Sequence, residues 1–84
     1  MNVSGRQIAA ARVMAGLDQK TLAAAANVSV ATLRRMEASD GNAAGLANNV
    51  AAVIRAIEEA GVELIPENGG GAGVRLRKGH DGPG

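Results

Sequence analysis

Eighty-four residues make one small domain. The chain has no Cys, Phe, Tyr or Trp, which excludes disulfides and a thiolate metal site and leaves the core to Leu, Ile, Val, Met and many Ala. Net charge is only +1, so the chain as a whole is not a polycation. The distribution is uneven, however. Residues 1–38 hold five bases (Arg6, Arg12, Lys20, Arg34, Arg35) against two acids, whereas residues 39–67 hold Arg55 against five acids. A basic region followed by an acidic one suits docking to a polyanion. Small core side chains bury little area each, and at about 25 cal/mol per Å² such a core is marginal for a lone monomer, which predicts a partner subunit. No apolar run is long enough for a membrane and no signal peptide opens the chain, so a cytoplasmic location is expected.

Ser4 and Gln7 form a capping box ahead of a helix predicted over Gly5 to Ala15, with Ile8, Ala11 and Ala15 inward and Gly16 ending it. Leu17 is expected to plug the core. Asp18 caps a second helix, Gln19 to Ala26, with its carboxylate at the positive end of the dipole. Asn27 occupies the following turn, since Asn tolerates a left-handed backbone. Ser29 caps a third helix, Val30 to Ala38. The turn-forming stretch SDGNAAG (39–45) breaks it. A fourth helix is predicted from about Leu46 to Ala60, with Leu46, Val50, Val53, Ile54 and Ile57 as its apolar stripe and Gly61 as its stop.

Beyond Gly61 the period becomes alternating. Residues 62–65 and 74–77 read as two short strands joined by the loop PENGGGAG (66–73). A two-stranded hairpin is marginal in water and must pack on a helix or pair with another subunit. Residues 79–84 read as a disordered tail. The predicted domains are therefore 1–61 for the helices, 62–78 for a hairpin assigned to dimerisation, and 79–84 for the tail.

The stretch from Gln19 to Ala38 has the spacing of a helix-turn-helix, whose second helix enters the DNA major groove. Leu33 and Met36 must point inward, which leaves Val30, Ala31, Thr32, Arg34 and Arg35 exposed. Thr32 can bond a phosphate or a base edge, and Val30 and Ala31 suit a thymine methyl. Arg34 and Arg35 can fork onto guanine or grip phosphates, with Arg35 favoured for the groove. The plainer reading is a solvated basic face, but two adjacent Arg at this place in such a motif favour DNA. NGGGAG lacks the following helix and the Lys-Ser/Thr of a phosphate loop. One His, His80, cannot make a metal site, and Ser4, Ser29 and Ser39 lack an activating base. No metal, cofactor, small-molecule ligand or catalysis is expected.

The segment RQIAAARVMAGLDQKTLAAAANVSVATLRRMEAS resembles the helix-turn-helix of the lambda-repressor/Cro-like (XRE) family of bacterial and phage transcription regulators. The features are Arg12 in helix one, G-L-x-Q before helix two, L-A within it, V-S before helix three and T-L-x-x-x-E closing it. The match covers about residues 4–60, and VELIPENGGGAGVRLRK resembles the tail of very small members of that family. Asn27 stands where the family usually has Gly, and Val30 and Ala31 where many members have Gln, so the direct readout must differ.

The resemblance implies an all-α, lambda-repressor-like bundle of four helices with a small C-terminal β-hairpin. It further implies a salt bridge between Arg12 and Glu37, phosphate contact by Gln19, and backbone contact near Asn42, Asn48 and Asn49, one of which an N-cap role would also explain; Ser29, the cap of helix three, is counted among the DNA-binding residues. The expected function is sequence-specific binding of double-stranded DNA, as a homodimer on an inverted repeat, in a repressor or controller. Ile54, Ile57, Leu64, Val74 and Leu76 are expected at the dimer interface. The rivals are an antitoxin of a toxin–antitoxin pair and a protein-interaction module built on the hairpin.

Overall fold

A computed structural model of the protein describes residues 3–39, 41, 43–67 and 69–77. Asn42 and residues 78–84, with His80 and the expected tail, lie outside them. The elements are α1 (Gly5–Met14), α2 (Gln19–Ala26), α3 (Val30–Glu37), α4 (Ala47–Glu59), β1 (Val62–Ile65) and β2 (Gly73–Leu76). Helices and strands fall within a residue of their predicted ends, because the residues that stop them are locally decisive. Ser4 accepts from the Gln7 N–H at 3.0 Å while the Gln7 carboxamide accepts from the Ser4 N–H at 2.9 Å, completing the capping box. Gly16, at φ +75, lets the chain leave α1. Asn27 adopts φ 57, ψ 44 between α2 and α3, the left-handed turn that Asn accommodates.

The core is assembled from one stripe of each helix and one face of the hairpin. Ile8, Leu22, Leu33, Met36, Val53, Ile57 and Val62 are completely buried, with Ala11, Ala23, Ala26 and Ala56 packed among them. The alanines let the helices approach closely in place of aromatic bulk. Gly5 serves the same end at the start of α1, where a Cβ would lie 2.7 Å from the Ser39 carbonyl oxygen and closer still to that of Met36. Sequence reading gave Gly5 no such role.

Two expectations are corrected. Leu46 does not belong to the inner stripe of α4; it is the N-cap residue and is 69% exposed. The inward line begins at Val50 and continues through Val53 to Ala56 and Ile57, because residue 46 precedes the first helical turn. Ala15 and Leu17 are half-buried and flank the core instead of filling it.

The hairpin is antiparallel, pairing Val62 with Leu76, Glu63 with Arg75, Leu64 with Val74 and Ile65 with Gly73. Its second strand starts at Gly73, one residue before the predicted Val74. It is fastened to α1 by Gln7, which is buried and whose amide nitrogen donates to the Ile65 oxygen at 2.9 Å and the Gly73 oxygen at 3.2 Å. One side chain thus caps a helix and joins both strands to it. Gln7→Leu should lower stability by about 1–3 kcal/mol, since the Ser4 N–H and two carbonyls lose a buried partner. Hydrogen exchange at the hairpin should accelerate before that of α2 and α4; uniform acceleration would mean that the hairpin is not held through this residue.

Candidate nucleic-acid interface

The turn after Asn27 leads into Ser29, the N-cap of α3. The Ser29 hydroxyl accepts from the Thr32 N–H at 3.0 Å and donates to the Thr32 hydroxyl oxygen at 2.9 Å. These two bonds tie the Ser29 and Thr32 hydroxyls together, and one proton of the pair is left to donate outward. Leu33 and Met36 are fully buried, and Ala31, Arg34 and Arg35 are exposed. Helix α3 thus presents Ala31 and the two arginines to solvent, with Thr32 half-buried beside them. Val30 is half-buried against the core, so less of it faces outward than the sequence reading assigned.

Helix α3 is held from behind by an ion pair. Arg12 Nε donates to Glu37 Oε2 at 2.8 Å and an Nη group to Oε1 at 3.2 Å, with side-chain exposures of 18% and 8%. A second Nη group of Arg12 donates to the Leu17 carbonyl at 3.0 Å. The guanidinium therefore joins the C-terminal turn of α1, the α1–α2 connection and the end of α3. This two-pronged geometry is available to Arg and not to Lys.

Gln19 extends the network. Its amide nitrogen donates to Glu37 Oε1 at 3.1 Å, and its carbonyl oxygen accepts from Arg34 Nε at 3.4 Å. The carboxylate on one side and the guanidinium on the other fix which way the amide points. Sequence reading identified Gln19 but not this relay, which depends on α2 and α3 crossing beside the turn. The only advance signal was that its neighbours in space, Arg12 and Glu37, were already expected to pair.

At the start of α4, Leu46 makes no side-chain cap. None of the described asparagines takes that role: Asn48 is exposed and Asn49 half-buried within the first turn. Two of the residues assigned to the dimer interface, Ile57 and Leu64, are buried in the protomer's own core and cannot form an exposed seam. Ile54 and Val74 are half-buried, and Leu76 is 61% exposed.

Asp18 caps α2 by accepting from the Thr21 N–H at 2.7 Å. That backbone bond, with the Thr21 hydroxyl and nearby Lys20 and Arg12, holds its carboxyl below the ordinary 3.8. A group with a lowered folded pKa stabilises the native state above its unfolded value and loses that contribution as pH falls through the folded one. Unfolding midpoints should therefore drop below about pH 4, less so in Asp18→Asn than in the parent. An identical acid profile for the two proteins would contradict this.

A short helix, a left-handed turn, and a second helix whose arginines face solvent over a buried Leu and Met define a helix-turn-helix. The helix-turn-helix family model matches residues 8–45, from the second turn of α1 through α3 to the loop before α4. The protein is thus of the class of DNA-binding helix-turn-helix regulators. Within that class, the matched segment is a helix-turn-helix of the XRE type, and the four helices with an appended hairpin are consistent with a lambda-repressor-like fold. No curated protein matches the chain. None of the described helices is long and apolar enough to cross a membrane.

Proposed function

We propose that this protein binds an inverted repeat in double-stranded DNA as a homodimer and represses transcription in the cytoplasm of its host. The observation that carries the reading is the outward presentation of Arg34 and Arg35 on a helix whose opposite side, Leu33 and Met36, is fully buried. Helix α3 enters the major groove, where Arg35 reads a guanine edge and Ala31 lies against a thymine methyl. The Ser29–Thr32 hydroxyl pair donates its remaining proton to a phosphate or base edge. Arg34, drawn back toward α2 by Gln19, takes a phosphate beside the α2 N-terminus. Gln19 then acts by orienting Arg34, and its own contact with the backbone of the duplex is through its peptide N–H. Ser29 contributes as a cap. Asn48, exposed at the start of α4, adds a flanking phosphate contact.

In this reading repression works by occupying promoter DNA. The test is a mobility shift on the DNA upstream of the protein's own gene, searched for an inverted repeat with half-sites about 10 bp between centres. Binding should prefer that repeat and weaken steeply with salt, with a log–log slope of about −0.9 per phosphate contacted. Equal affinity for scrambled DNA, or a flat salt response, would overturn the proposal.

A further inference from the structure

The hairpin has two edges, and they differ. Arg77 N–H donates to the Gly61 oxygen at 2.8 Å, which makes that pair hydrogen-bonded. Bonded and non-bonded pairs alternate along an antiparallel ladder. Given the register, Glu63 with Arg75 and Ile65 with Gly73 are the next bonded pairs. The N–H and C=O groups of Val74 and Leu76 therefore face away from β1, and no described backbone or side-chain group bonds to them. The corresponding residues of β1, Val62 and Leu64, are buried, so that edge is covered. The open edge is β2, and Leu76 overhangs it with 61% of its surface exposed although its cross-strand partner Val62 is fully buried. Such an edge is a ready template for another strand.

We infer that β2 pairs with β2 of a second copy, antiparallel, about a two-fold axis through Arg75, to give a four-stranded sheet. This rests on the homodimer reading above and names the surface that joins the subunits. Only outward-facing residues can bond outward-facing residues, which limits the symmetric registers to centres at 74, 75 or 76. Centring on Arg75 sets Val74 opposite Leu76 of the copy twice over and forms four hydrogen bonds within the observed strand. Centring on Val74 draws Ala72 from the loop into the ladder, and centring on Leu76 leaves only the Leu76 self-pair within the described strand.

The side chains favour the same centre. On the helix-facing side the rows become Val62–Leu76–Val74–Leu64 and its symmetry mate, apolar across all four strands. On the other side the two Arg75 side chains meet, each already paired with Glu63 of the neighbouring strand in its own subunit, so each half brings a balanced charge to the axis. Occupation by a copy of this chain is thus argued from a surface that complements itself.

The experiment uses the full-length protein and measures mass by light scattering after gel filtration. Leu76→Lys should run at the protomer mass at concentrations where the parent runs as a dimer, while Leu46→Lys, on an equally exposed leucine, should stay dimeric. Circular dichroism confirms that each variant is folded. The register is read separately by cysteine pairing, which is clean because the natural chain has none. Position 75 opposes itself in a non-bonded pair, so Arg75→Cys should crosslink on mild oxidation at least tenfold faster than Val74→Cys. A dimeric Leu76→Lys protein, or faster crosslinking at 74 than at 75, overturns the seam and leaves DNA binding as a dimer standing. A parent protein that is monomeric at high concentration would remove the seam and the homodimer reading together.

Discussion

Replacing Arg34 and Arg35 together by alanine should lower operator affinity by at least about a hundredfold while leaving subunit mass and melting temperature unchanged. A good bidentate Arg–guanine contact is worth about 1–3 kcal/mol of discrimination, and a phosphate contact adds a salt-sensitive term of its own. Neither side chain supports the core: both are exposed, and the one described side-chain partner of either is Gln19, 3.4 Å from Arg34. The single variants should fail differently. Arg34→Ala should weaken operator and random DNA alike and reduce the salt slope by about 1, whereas Arg35→Ala should relax the preference at one base pair of each half-site. Mobility shifts at two salt concentrations separate these outcomes, and a double variant with unchanged operator affinity would refute the assignment of α3 as the reading helix.

The largest loss of stability is expected from Glu37→Ala, at about 3–5 kcal/mol. The Glu37 side chain is only 8% exposed and accepts from Arg12 twice and from Gln19 once. Its removal strands a guanidinium that is itself mostly covered, together with an amide N–H. A domain of this size has a total stability of about 4–13 kcal/mol at 0.05–0.15 kcal/mol per residue, so the variant should sit near its unfolding threshold. Replacing both partners by apolar residues, as in Arg12→Met with Glu37→Leu, should cost far less, because no charge is left unpaired. Urea unfolding followed by circular dichroism compares the three proteins, the chain offering no aromatic signal. A Glu37→Ala midpoint equal to that of the parent would show the pair to be energetically idle.

Most of the backbone plan was legible in the chain because the decisive signals are local. Ser4 with Gln7, Asp18, Asn27 and Ser29 each mark a boundary by what their own side chain or backbone does within four residues. The inward positions of α3 could be read the same way, since Leu33 and Met36 leave the arginines no place but outside. What the sequence concealed depends on contacts between distant segments. Gln7 looked complete as a capping residue, and nothing nearby announced its bonds to residues 58 and 66 positions away. Gln19 read as a phosphate ligand because its links to Glu37 and Arg34 exist only after α2 and α3 have packed. Ile57 and Leu64 were assigned to a partner subunit because an apolar stripe does not say whether its own chain or another will cover it. Leu46 was misplaced because helical periodicity was extended one residue before the helix begins.

The double attachment of Gln7 has a consequence for operator choice. Because the amide that starts the first helix also grips the loop end of the hairpin, the angle between α1 and the hairpin is not free to vary. Two copies joined along the hairpin would therefore hold their reading heads at one separation and one rotation, like the jaws of a caliper. Operators with a base pair inserted between the arms should be rejected by the whole protein, and loosening this single side chain should make it tolerant of them.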